Sequence, residues 1–264
     1  MILTTTIGSY PKPSYLKVPD WFQGEKGTDA EYPTQGWEEA IKNLGSDFEN
    51  IFNKATLEVI TDQIESGIDI VTDGEIRREN YIHYHCRFLK GIDFNNLTKQ
   101  TARTGNYDCY LPTIVNQVKF EKPFLSNEFK INQNISSKPI KVTIPGPLTI
   151  TDTIADSYYN DSKKLGVDLS IAINHEIKDL ANAGCRYIQV DEPLFARKTK
   201  EAISFGIENL ERCFHGLPNE IEKIVHICCG YPDKMDAIDY PKAPLNSYND
   251  LSNYLEDSIV DTIS

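Results

Sequence analysis

The sequence predicts an α/β protein built on a parallel sheet with helical crossovers, a (β/α)8 barrel in preference to a doubly wound sheet. Three observations carry this. β-rich runs alternate with helical stretches along the 264 residues, the pattern of strand–helix–strand units. Nearly every β run ends in polar or small residues: Ser9, Asp73 and Glu75, Pro145 to Pro147, Asp191 and Glu192, His226 and Cys228. Site residues of barrel enzymes come from that end of their strands. A doubly wound sheet also binds ligands there, but no G-x-G-x-x-G and no P-loop follows the first β run.

In chain order, LTTTIGS (3–9) is β-branched and closes on Gly-Ser, a first strand. Residues 37–66 carry Leu44, Phe48, Ile51, Phe52, Ala55, Leu57, Ile60 and Ile64 as candidate buried positions and read as one or two helices. IDIVTDGE (68–75) is a strand running into carboxylates. Residues 81–140 show no long helical period and read as an inserted β-hairpin region with loops. KVTIPGP (141–147) resumes the strand pattern, a helix covers about 162–183, and CRYIQVDEP (185–193) is the next strand. A helix over 200–214, the strand KIVHICC, a helix over 248–255 and a sixth strand, SIVDTIS, complete the chain. Six of eight barrel strands are counted, so the expectation is one catalytic barrel domain over 1–264, incomplete at its C-terminus.

The length suits one large domain with a substantial core. A net charge of −12 repels phosphate backbones and anionic lipid, which argues against nucleic-acid and membrane partners. No run approaches the roughly 20 apolar residues of a membrane helix, and MILTTTIGSYPKP lacks the basic and apolar regions of a signal peptide. The expected location is cytoplasmic, with six cysteines as thiols or ligands rather than a disulfide framework.

In HICC, strand alternation puts His226 and Cys228 on one face and Cys229 on the other. Imidazole and thiolate together suit Zn²⁺; a buried core strand is the competing reading. Asp73 and Glu75 would share a face and could grip an ammonium group, do acid–base work, or serve as solvated loop or capping carboxylates. Asp191 shares a face with Gln189 and is favoured for ligand contact; Glu192 points the other way. Gly8 and Ser9 offer strand-end amides that can hold a carboxylate. IPGP permits close backbone approach or is a rigid turn. His83 and His85 form an H-x-H pair that reads as surface histidine.

TTTIGSYP, DIVTDGEIRREN, IPGPLTI, YIQVDEP and HICCG, in this order, resemble the C-terminal catalytic barrel of the cobalamin-independent methionine synthases, closest to the short single-barrel forms. The resemblance runs from Leu3 to Ser264. It implies a (β/α)8 fold and methyl transfer from a methylated folate, or a methyl-corrinoid, to the thiol of homocysteine. It implies a catalytic zinc held by His226 and Cys228, with a glutamate and a second cysteine supplied later in the family's chains. It also implies that Ile7, Gly8 and Ser9 hold the homocysteine carboxylate, and that Glu75 and Asp191 hold its amino group.

The sequence departs from the family pattern in several places. The glutamate position falls beyond IVDTIS, and none of Cys86, Cys109, Cys185 and Cys213 occupies the second cysteine's place. Thr153 replaces a pterin-stacking tryptophan, Arg197 replaces a glutamate, and an arginine of the insert falls near Asp108. The donor therefore stays open. So do two rival readings: a corrinoid-dependent methyltransferase acting on another thiol, and a non-catalytic barrel that binds a small ligand.

Overall fold

Strands that follow one another in the chain lie side by side in space. The computed structural model describes residues 2–20, 33–102, 107–230 and 242–264. Helix α1 (Pro33–Leu44) passes through a short 3-10 turn into α2 (Phe48–Glu65), and β1 (Val71–Thr72) follows. Next come α3 (Tyr81–Cys86), β2 (Leu89–Ala102), β3 (Tyr107–Phe120), α4 (Leu125–Ile135), β4 (Ile140–Pro145), α5 (Pro147–Thr153) and β5 (Ala155–Asp156). The chain continues with α6 (Ser162–Asn182), β6 (Tyr187–Asp191), α7 (Thr199–Glu201), a π-turn (Ala202–Gly206), α8 (Ile207–Phe214), β7 (Glu222–His226), α9 (Ser247–Glu256) and β8 (Thr262–Ile263).

The main sheet has the order β1-β4-β6-β7-β8, all parallel, and Thr5 bridges Ile70 in parallel beside β1. Each crossover moves one strand onward in the same direction. A doubly wound sheet would reverse that direction at a switch point. The monotonic order selects the barrel type, and the strands form an arc of it. Among the described residues no ladder joins Thr5 to β8.

Packing follows from sequence period. α2 buries Phe52, Ala55, Val59 and Ile60 on one face, whereas Leu57, expected to be buried, faces solvent on the other. α6 buries Leu165, Leu169, Ile173, Ile177 and Leu180 in the same way; the Asp161 side chain accepts from the Lys163 and Lys164 amides at its start. β4 is buried at all six positions, as a parallel strand covered on both faces should be. A smaller cluster of Leu16, Phe52, Ala55, Val59 and Ile76 ties the N-terminal segment to α2 and to the turn after β1.

Several expectations are corrected. The first and last strands are shorter than 3–9 and 258–264: a single bridge at Thr5, and two residues in β8. β1 stops at Thr72, so Asp73 and Glu75 are related by a turn and not by strand alternation. Gly74 has φ 66° and Glu75 φ 56°, and the Asp73 carboxylate accepts from the Glu75 amide. A Cβ on Gly74 would stand 2.6 Å from Val59 Cγ1, so only glycine fits the turn. The 81–140 region does hold the β2–β3 antiparallel hairpin, but also α3 and α4. α3 spans six residues, too few to show a period, and is started by the Asn80 side chain accepting from the Ile82 and His83 amides. His83 and His85 lie on α3 and are buried, not surface histidines. No helix among the described residues is long and apolar enough to cross a membrane.

Candidate active site

The register brings Pro145, Asp191 and His226 to one level at the C-terminal ends of β4, β6 and β7. A cavity of about 450 Å³ opens there. Ile7, Gly8, Ser9, Glu75, Asp191, His226 and Cys228 all line it, with Lys12 and Arg78. Glu192 faces away, as alternation predicts: its carboxylate accepts from the Leu148 and Thr149 amides at 2.9 Å, at the start of α5. Cys229 is half-buried and packs against the core. The Asp108 side chain lies outside the described residues.

Below the cavity floor the barrel interior is polar. Thr143 Oγ1 donates to Glu75 Oε1 at 2.7 Å, and Arg78 Nη1 donates to the Thr143 carbonyl at 3.0 Å. Arg78 also pairs with Asp73 and Glu75 at 3.8 and 3.5 Å. A Cβ on residue 8 would stand 2.9 Å from Glu75 Oε1, so glycine there lets the carboxylate close on the first strand. Gln189 Nε2 donates to Asp191 Oδ1 at 2.7 Å. Burial pushes the Asp191 carboxyl up to about 8, and the nearby Glu75 carboxylate adds to this; Gln189, Arg78 and Lys141 oppose it. Burial brings the Lys141 ammonium down to about 8, against the pull of Asp191 and Glu75. Two buried acids and two buried cations thus sit around one floor, chemistry suited to an ionised ligand rather than an apolar one.

The family model described as "Cobalamin-independent synthase, Catalytic domain" matches residues 2–209. The chain belongs to this family. Two similar relatives are named methionine synthase. One, from Saccharolobus solfataricus, is 32% identical over 231 residues, covering 87% of this chain and 63% of the relative. The other, from Sulfolobus acidocaldarius, is 30% identical over 254 residues, covering 93% and 68%. A solved B12-independent methionine synthase from Shewanella sp. W3-18-1, in complex with selenomethionine, superposes with a TM-score of 0.78 at 31% identity over 98% of this chain and 72% of that one. A further structure, from Listeria monocytogenes, at 20% identity and TM-score 0.58, shares the fold.

In this member of the cobalamin-independent synthase family, the zinc question rests on two donors. Burial keeps His226 neutral by pushing its pKa down, and its Nδ1 is buried without a hydrogen-bond partner among the described residues. An orphaned neutral imidazole nitrogen fits a metal ligand. Burial raises the Cys228 thiol, so a metal there must displace a proton. Among the described residues no group of three or more His, Cys, Asp or Glu could hold a metal. His226 and Cys228 therefore fit two positions of a tetrahedral site.

Sequence reasoning missed Arg78, Lys12 and Lys141. Lys141 left a signal: a lysine inside the otherwise apolar run IKVTIP is a charge on a fully buried strand. Arg78 left none, because it reaches the cavity through the turn after β1.

Proposed function

We propose that this cavity binds homocysteine and that the chain transfers a methyl group to its thiol, giving methionine. The observation that carries the reading is the convergence in one cavity of an acidic pair, Glu75 and Asp191, a strand-end segment, Ile7–Ser9, and a nitrogen–sulfur donor pair, His226 and Cys228. The acids match an α-ammonium, and the Ile7–Ser9 backbone with the Ser9 hydroxyl matches an α-carboxylate. Selenomethionine bound to the Shewanella relative is a ligand of the same amino-acid class. A zinc held by His226 and Cys228 would supply an electron-rich sulfur by deprotonating the substrate thiol. The protein's own part is orientation: gripping both ends of the amino acid fixes its sulfur for in-line attack. In the overall reaction a C–S bond forms and the donor–methyl bond breaks with its electron pair left on the donor; the thiol proton ends on the demethylated nitrogen of a folate donor or, with a corrinoid donor, in solvent.

Residues 1–264 are read as one catalytic barrel domain, with a methylated folate or a methyl-corrinoid as donor. Thr153 favours keeping the corrinoid open: its hydroxyl donates to the Thr149 carbonyl within α5, and it offers no ring for a pterin to stack on. The test is mass-spectrometric detection of methionine from homocysteine and zinc with methyltetrahydrofolate or methylcobalamin. Methionine from either donor supports the reading and identifies that donor. Methylation of a different thiol in its place, or amino-acid binding without turnover from either donor, overturns it.

A further inference from the structure

Lys141, the second residue of β4, is fully buried. Its Nζ donates to Gln189 Oε1 at 2.6 Å and to the Thr6 carbonyl at 2.7 Å. Lysine has donors only, so the atom of Gln189 facing it must be the oxygen. This removes the usual ambiguity of an amide side chain. Gln189 Nε2 must then face the other way, where it donates to Asp191 Oδ1 at 2.7 Å and to the Ile7 carbonyl at 3.0 Å.

The same contacts fix the first strand. The carbonyls of Thr6, Ile7 and Gly8 are held in succession by Lys141, Gln189 and Thr72, the last through Oγ1 at 2.9 Å. A peptide unit is planar and trans, so a held carbonyl also sets the direction of the N–H that follows it. The three N–H groups set in this way belong to Ile7, Gly8 and Ser9.

We propose that Lys141 is a positioning residue: by fixing the Gln189 amide and the Thr6 carbonyl it sets the ammonium-binding carboxylate of Asp191 and the carboxylate-binding amides of Ile7–Ser9 together. This rests on the reading of the cavity as an amino-acid site. One cation thereby couples the two ends of the ligand, although it touches neither. Substituting Lys141 leaves the Gln189 amide free to flip, presenting its oxygen to the Ile7 carbonyl and, once a bound ammonium group holds Asp191 ionised, to its carboxylate, both of which are then acceptors.

The experiment is calorimetric titration of the parent chain, Lys141→Met, Gln189→Glu and Asp191→Asn with three probes: L-methionine, its decarboxylated amine 3-(methylthio)propylamine, and its deaminated acid 4-(methylthio)butanoate. Gln189→Glu keeps a partner for Lys141 but cannot donate, so it tests the same link if Lys141→Met folds poorly. Lys141→Met and Gln189→Glu are expected to weaken all three probes by about tenfold or more. Asp191→Asn is expected to weaken only the two that carry an ammonium group. Unchanged affinities in Lys141→Met and Gln189→Glu, or a loss confined to one end of the ligand, overturn the inference and leave the site reading standing. No binding of any probe by the parent chain overturns the site reading and the inference with it.

Discussion

At the scale of single residues, the decisive fact is that burial acts on His226 and Cys228 in opposite senses. It keeps the imidazole neutral and ready to ligate, and it keeps the thiol protonated until a metal arrives. Zinc affinity should therefore rise with pH as Cys228 gives up its proton. Replacing either residue removes half of the described donor set. Competition with a chromophoric chelator should show zinc uptake falling in Cys228→Ser and His226→Ala by about tenfold or more, with Cys229→Ser unchanged because it does not line the cavity. Equal zinc binding in Cys228→Ser and the parent would remove Cys228 from the site. Two donors alone hold zinc loosely, so with only His226 and Cys228 from the described residues the zinc should be drawn off by dialysis against chelator. His226 and Cys228 line the cavity and Cys229 does not, although β7 ends at His226 and the strand expected over 223–229 does not run through the cysteines. At Asp73 and Glu75 the strand likewise ends early, and Glu75 reaches the cavity from the left-handed region at φ 56°.

At the scale of elements, two helices depend on carboxylates distant in sequence. Glu192, after β6, takes the first amides of α5, and Glu176, inside α6, accepts from the Phe124 and Leu125 amides at the start of α4. The N-caps of both helices make no side-chain cap bond of their own, so these acids satisfy donors that would otherwise be orphaned. Such caps cannot be read from sequence: a local signature needs its acid within a few residues, and here the acids lie 43 to 52 positions away. The missing local cap is one reason α4 was not anticipated, whereas α6, with Asp161 at its start and apolar residues three and four apart, was legible almost to the residue. Glu192→Ala strands the Leu148 and Thr149 amides in a buried turn. Its cost should be about 2–4 kcal/mol, read as a lowered urea midpoint with an unchanged slope. A loss below about 0.5 kcal/mol would mean that water replaces the carboxylate without penalty.

At the scale of the whole molecule, the buried carboxyls give the fold a pH dependence of definite sign. Burial raises Asp191 to about 8 and both Glu176 and Glu192 to about 7, far above the usual acid range. A group whose pKa is higher folded than unfolded holds its proton more tightly in the folded state. Its stabilisation is complete below the unfolded value, near 4, and is lost as pH rises through the folded value. From about pH 4.5 to 8 these three acids therefore make stability fall. Each full proton of difference is worth about 1.4 kcal/mol per pH unit. Lys141 acts the other way at higher pH: lowered to about 8, it makes stability recover between there and its unfolded value near 10.5. Asp69, Asp93, Asp161 and Asp261, held below their usual range largely by hydrogen bonds, oppose the trend only as pH drops toward 4, and they are near the surface where solvent screens them. Buried His83 and His85, lowered to about 4 and about 3, and His226, also lowered, act the other way below their unfolded value near 6.5, so the fall caused by the carboxyls is clearest between about pH 6.5 and 8. Glu176 isolates the effect, because it lies outside the cavity. Glu176→Gln keeps an acceptor oxygen for the α4 amides and removes the titrating proton. Urea midpoints measured from pH 5 to 8 should fall less steeply in this variant than in the parent, the gap closing by up to one proton's slope between 5 and 7. Parallel curves for the two proteins would mean that Glu176 titrates near its ordinary value in the folded chain and does not contribute to the dependence.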